Sequence, residues 1–425
     1  MPNEICSEIC ACRICGSSEL APVIDLGDQY LANHFVGDRI PRFMWERYPL
    51  QVIRCAEPKG CGLVQIRHSV APSALYFNYG YLSGINESMR SNLRDIATNT
   101  ERMAELQPGD TVLDIGCNDG TLLSSYQASG LDRLGIDPAA NAVKLAREQG
   151  LEVVNDFFSQ SSFETARPGG KARAVTSIAM FYDLERPMEF VSGVGSVLAD
   201  DGVWVIELSY LPFMLRRGSF DTICHEHLEY YALRQIEWML SRHGMAVHRI
   251  ELNDVNGGSF RVFIRKDGVG TAAPEDRAYV DRLREEETSM ELDSDAPYAA
   301  FRESASRIRS ELSALLKKLT TDGKKVYVYG ASTKGNTILQ YCGIDHNVIP
   351  YAADRNQEKW GRRTLGTDIP IISEEQARAQ RPDYFLVLPW HFMTGFLERE
   401  RAFLDRGGKF IVPLPQVRVI GKEDL

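Results

Sequence analysis

Cys224, His225, Glu226 and His227 occupy four consecutive positions in FDTICHEHLEYY (220–231), and a thiol, two imidazoles and a carboxylate can hold a metal or move protons. Neighbouring residues on a helix or strand point in different directions. Four in a row therefore converge on one ion only across an irregular loop, which argues against a metal. Proton transfer needs fewer groups: His227 can remove a proton near neutral pH while Glu226 orients or charges the imidazole. The alternative, a hydrogen-bonded structural histidine, stays open for His227 and more so for His225.

A second set of reactive side chains has metal-ligand spacing. Cys12 and Cys15 form C-x2-C, and Cys55 and Cys61 form C-x5-C, so two tight turns can close one tetrahedral thiolate zinc site. Cys6 and Cys10 lie close enough in sequence to supply alternative ligands. A closed four-thiolate site has no open position, so this zinc is expected to hold a small module together and take no part in chemistry.

The elements that must position these groups lie between and after them. GDTVLDIGCNDGTLLSSY (109–126) reads as a buried strand ending near Asp114, then a turn with Gly116, Asn118 and Gly120, then a helix. The glycines are expected to let a ligand approach the backbone. RLGIDP ends a second strand at Asp137 and Pro138, with Asp137 placed for a ribose diol, and EVVNDFF offers Asp156 and Phe157 to an adenine. The turn is D-x-G-x-x-x-G and not G-x-G-x-x-G, and it resembles that of class I S-adenosylmethionine (SAM) methyltransferases. AVTSIAMFYDLERP and DDGVWVIELSYL read as the fourth and fifth strands, so Met180 to Asp183 and Glu207 to Tyr210 are expected to face the reaction cavity.

Beyond them, Asn256 with Gly257 and Gly258 is either a close approach for a sugar or a hairpin turn. A helical stretch with Leu312, Leu315 and Leu316 on one face bridges to a last α/β unit. Its strand–turn–helix, KKVYVYGASTKGN, sets Thr333, Lys334 and Asn336 at a helix N-terminus suited to a pyrophosphate, and FLVLPWHF ends a later strand at Trp390.

The chain of 425 residues is 44% hydrophobic and 25% charged, a globular composition with room for two to three domains. Its net charge of −10 argues against nucleic-acid or membrane-surface partners. With no signal-peptide pattern or apolar run long enough for a bilayer, a cytoplasmic location is expected.

Taken in order, the cysteine pairs, YFNYGYLSGINESMR, FDTICHEHLEYY, VNGGSF and YGASTKGN resemble the sugar C-methyltransferases over nearly the whole chain. The resemblance implies an α/β architecture. It comprises a zinc-binding module (1–75), a class I SAM methyltransferase with a doubly wound sheet (76–272), and a helical linker with a Rossmann-like domain (273–425). It implies SAM and structural zinc, and a TDP- or GDP-linked 4-keto-6-deoxyhexose methylated at C-3 through an enolate by a monomer or weak homodimer. His227 matches the family base, Glu226 its partner, and Tyr79 or Tyr81 the linker tyrosine. Cys224 stands where the family has a tyrosine, and Met180, Phe181 and Tyr182 stand where it has a histidine. Supporting roles then fall to His225, Tyr182 or Tyr210. An O- or N-methyltransferase, which needs no enolate, and a noncatalytic SAM or zinc module are the other function classes.

Overall fold

The computed structural model describes residues 5–37, 45–75 and 82–425. Its centre is a seven-stranded sheet built from β1 (Thr111–Ile115), β2 (Asp132–Ile136), β3 (Glu152–Val154), β4 (Ala172–Ile178), β5 (Leu198–Ser209), β6 (Met245–Asn253) and β7 (Ser259–Lys266). The strands lie in the order β6-β7-β5-β4-β1-β2-β3, all parallel except β7, which runs against both neighbours. Alternate residues of one strand feed different cores. Leu113 and Ile115 join one apolar cluster and Val112 another, so the sheet is buried on both faces and its strands read as continuous apolar runs. The strand order reverses between β1 and β4, which opens a crevice beyond their carboxyl ends.

The N-terminal module is an antiparallel sheet of Leu20–Gln29, Tyr48–Cys55 and Val64–Ile66. Its fourth strand comes from far along the chain. Glu229–Tyr230 pairs with Val64–Ile66, Glu229 opposite Gln65 and Tyr230 opposite Val64. The segment singled out for its chemistry thus ends as part of the zinc module's sheet.

The linker is two helices, α1 (Pro274–Ser289) and α2 (Ala296–Thr321). Tyr298, Phe301, Ala305, Ile308, Leu312, Leu316 and Leu319 recur every three or four positions of α2 and are buried, while Leu315 packs against the same core from a half-buried position. A six-stranded sheet follows. It holds β8 (Val326–Tyr329), β9 (Ala352–Asp354), β10 (Ile371–Ser373), β11 (Tyr384–Val387), β12 (Lys409–Val412) and β13 (Arg418–Ile420), in the order β10-β9-β8-β11-β12-β13. Only β13 is antiparallel. The helix α3 (Thr333–Cys342) follows β8 directly.

Candidate active site

A short 3₁₀ turn at Phe220–Thr222 and a turn closed by the His227 amide on the Cys224 carbonyl (3.1 Å) make residues 220–227 irregular. The four reactive side chains therefore diverge. The Cys224 thiol is fully buried, so it is not at hand for a substrate. His225 is also fully buried, and its Nε2 donates to the Tyr48 carbonyl in the N-terminal module at 3.2 Å. This corrects the expectation of a supporting catalytic role: the ring pins the segment to the module. Glu226 is buried with neither carboxylate oxygen hydrogen-bonded among the described residues. Its charge is felt at Asp183, whose carboxyl is pushed well above the usual range, first by burial and then by Glu226.

His227 is the one member left half-buried, the other three being buried. Its Nδ1 lies 2.7 Å from the Thr222 carbonyl, which only accepts, so Nδ1 carries the proton and Nε2 keeps its lone pair. The Tyr182 ring meets the imidazole edge-on at 4.5 Å. Burial and the Lys334 ammonium push the His227 pKa down to about 4, against the pull of the Thr222 carbonyl, so the ring is neutral at physiological pH. The orienting group is thus a backbone carbonyl, where a Glu226 carboxylate was expected.

The C-terminal sheet supplies the opposite wall. Lys334, in the first turn of α3, donates from Nζ to the Asn256 carbonyl at 2.6 Å and lies 3.5 Å from Thr222 Oγ1. Asn256 (φ 54°) and Gly257 (φ 91°) belong to the hairpin joining β6 to β7, so the turn reading holds and the Asn256 backbone takes part in the cleft. Trp390 Nε1 donates to Asp221 Oδ2 at 2.9 Å. Asn336, expected to hold substrate, is instead buried and donates to the Ala32 carbonyl at 2.6 Å, so it fastens α3 to the N-terminal module. Thr333, one residue before Lys334, is half-buried.

Beyond the strand ends of the central sheet lies a cavity of about 1110 Å³ lined by Asp114, Gly116, Asn118, Asp137, Pro138, Phe157, Met180 and Asp183 among others. Asp114 accepts from Thr176 Oγ1 at 2.6 Å, and burial raises its pKa to about 7. Asp137 is clamped by the amides of Asn118 (2.8 Å) and Ala139 (2.7 Å), and each oxygen keeps a further lone pair. Gly116 (φ +74°) borders the cavity, where a Cβ would come 2.9 Å from Met180 Cγ. Gly120 does not: its Cβ would strike Leu151 Cδ1 at 2.2 Å, so that glycine serves helix–strand packing and not ligand approach. Asp156 turns back to accept from the Phe157 amide (2.8 Å) and lies outside the cavity wall, whereas the Phe157 ring stands on the rim.

Glu207 and Tyr210 also miss the cavity. Glu207 takes Asn92 Nδ2 (2.6 Å), Asn253 Nδ2 (2.9 Å) and Arg261 Nε (2.8 Å), and the Tyr210 hydroxyl donates to Glu287 on α1 (2.7 Å). Tyr79 and Tyr81 lie outside the described residues.

The cysteine pairs meet. The sulfurs of Cys12, Cys15, Cys55 and Cys61 all lie within 4.8 Å of one another, with Cys12–Cys61 at 3.4 Å and Cys15–Cys55 at 3.5 Å, a spacing that fits four thiolates around one zinc. Cys6 and Cys10 stay outside the cluster.

Arg13, between the first two ligands, carries the site's influence outward. It donates to the Ile66 carbonyl (2.7 Å), Gln65 Oε1 (3.3 Å) and Ser69 Oγ (2.7 Å), and its Nε lies 3.8 Å from Glu229 and 3.6 Å from Glu185. Glu229 follows the irregular 220–227 segment and Glu185 borders the cavity. Sequence reasoning missed Arg13, Thr222 and Glu229, since what matters in each is a long-range contact or a backbone atom.

Three family models match: a "C-methyltransferase C-terminal domain" over 254–415, a "Putative zinc binding domain" over 12–76 and a "Methyltransferase domain" over 86–250. The C-methyltransferase NovU of Streptomyces niveus is 33% identical over 422 residues, 99% of each chain. A ubiquinone biosynthesis O-methyltransferase of Bordetella parapertussis is 35% identical over 100 residues, 23% of this chain and 41% of that one. Among solved structures, the magnesium protoporphyrin IX methyltransferase of Synechocystis with bound SAM is 15% identical with a TM-score of 0.32, covering 42% of this chain and 79% of that one. With a full-length relative of this kind, a four-thiolate cluster under the zinc-binding model and a methyltransferase sheet beside it, the chain belongs to the zinc-containing, SAM-dependent C-methyltransferase family.

Proposed function

We propose that this enzyme methylates C-3 of a nucleotide-linked 4-keto-6-deoxyhexose, with His227 as the base. The carrying observation is the Nδ1–Thr222 contact, which puts the ring proton on Nδ1, so that in the neutral imidazole kept by burial and Lys334 it is Nε2 that accepts a proton. A sugar carbon is not a nucleophile, but a C–H next to a ketone can be ionised, so the 4-keto group is obligatory. Nε2 takes the C-3 proton, the electron pair passes into the ketone as an enolate, and the cleft holds C-3 for attack in line. SAM, when bound, supplies the electrophilic methyl group. Asp114, Gly116, Asn118, Asp137, Pro138 and Phe157 are the residues that would hold it, on the strand-end wall of the cavity. Burial raises both the Glu226 and the Asp183 carboxyls, and the Glu226 charge adds to the rise at Asp183, which borders the cavity. On this reading the C-terminal domain, through Trp390 and Thr333, takes the TDP or GDP portion.

The test is incubation with SAM and a panel of thymidine- and guanosine-linked sugars, read by mass spectrometry. Gain of one methylene by 4-keto-6-deoxy sugars only is expected. Methylation of a sugar lacking the ketone would favour O-methylation and overturn the reading.

A further inference from the structure

His225 faces the N-terminal module, so the enolate oxygen needs another partner. We infer that Lys334 is a catalytic residue, the cation that stabilises the enolate oxygen while His227 takes the proton; this rests on the ketosugar reading above. Thr222 joins the two groups. Its carbonyl receives His227 Nδ1–H at 2.7 Å and its hydroxyl lies 3.5 Å from Lys334 Nζ, so base and ammonium flank one residue. Lys334 reaches this point from α3, with Nζ held by the Asn256 carbonyl at 2.6 Å; burial lowers its pKa, and the nearby buried Asp221 opposes that shift.

The turn carrying Lys334 is poorly equipped to cradle a phosphate alone. The Ala331 amide is taken by Asp354 (2.9 Å), the Gly335 amide by Ser332 Oγ (3.1 Å), and the Asn336 amide by the Ser332 carbonyl (3.0 Å). A single buried ammonium beside a base is better matched to one developing negative charge than to a diphosphate. The step balances. The C-3–H bond breaks with its proton going to His227 Nε2, its electron pair forms C-3=C-4, and the ketone π pair moves to the oxygen facing Lys334. In the transfer that follows, the C-3–methyl bond forms, the sulfur–methyl bond breaks, and the ketone returns.

The experiment uses the full-length, zinc-loaded chain with TDP-4-keto-6-deoxyglucose and GDP-4-keto-6-deoxymannose in D₂O without SAM, following deuterium at C-3. Lys334→Met is expected to lower kcat for exchange by about 10²–10³-fold while the sugar-nucleotide KM moves only a few-fold and SAM affinity is kept. A raised KM with unchanged kcat would make Lys334 an anion-binding residue and overturn the inference, as would exchange at the wild-type rate. Should Lys334→Met lose SAM binding through misfolding, Lys334→Arg decides by the same kcat-against-KM split. Wild-type protein that exchanges neither sugar would refute the ketosugar reading itself, and this inference with it.

Discussion

Replacing Arg13 by Met should loosen the catalytic segment while leaving the zinc in place. The side chain is 3% exposed and its partner Glu229 is 0% exposed, so the perturbation is that of a buried pair and not of a surface one. Three hydrogen bonds from a charged donor are lost with it, to the Ile66 carbonyl, Gln65 and Ser69. Breaking one partner of a buried pair costs about 3–5 kcal/mol. Protonation limits the penalty here, because burial already pushes Glu229 well above the usual carboxylate range. A loss near the low end, about 3 kcal/mol, therefore lowers the melting temperature of the whole chain by about 3–4 °C.

The assay is a thermal melt of the zinc-loaded protein with metal content measured in parallel. Because the Leu228 carbonyl, one residue past His227, receives the Ile66 amide (2.9 Å), turnover should also fall by at least about tenfold if His227 is the proposed base and is misplaced. Adding Glu229→Gln to the variant should recover part of the stability by removing the stranded carboxyl. Melting within about a degree of wild type, or loss of zinc in step with stability, would refute the coupling.

Other expectations follow from single sites. Cys61→Ser should empty the zinc site and free the Glu229–Tyr230 strand, read as lost metal and faster amide exchange over 228–231. Gly120→Ala, with φ +79° and a Cβ 2.2 Å from Leu151, should destabilise by about 2–3 kcal/mol in a denaturant titration. Asp114 is held near 7, above its unfolded value, so its folded form keeps a proton and its contribution to stability falls as pH rises from 3.8 to about 7. The melting temperature of Asp114→Asn relative to wild type should accordingly increase between about pH 5 and pH 7. His227 has the opposite sign: depressed to about 4, its neutral form persists through mild acid, so kcat/KM should have its lower limb near pH 4 and not near 6.5.

Much of this was legible in the chain because it depends on local chemistry. Cysteine spacing fixes which thiols can meet, and an acidic strand end followed by a glycine turn announces a ligand crevice. What was not legible rests on tertiary contact. Nothing in LEYY says that its strand partner lies at Val64–Ile66, since strand pairing leaves no periodic mark of its partner. That pairing sends His225 into the N-terminal module. Likewise a histidine's neighbour in sequence is easily taken for its orienting group, yet the contact with Nδ1 is the backbone carbonyl of Thr222. Asn336 and Lys334 share one helical turn and still serve different neighbours, one fastening the N-terminal module and the other entering the cleft.

The central claim is that His227 Nε2 ionises C-3, and deuterium wash-in at that carbon without SAM tests it most directly. His227→Asn keeps a donor for Thr222 and removes Nε2. The account predicts wash-in by the wild type and a fall of about 10²–10⁴-fold in the variant, with SAM affinity unchanged. Undiminished exchange in the variant would contradict it.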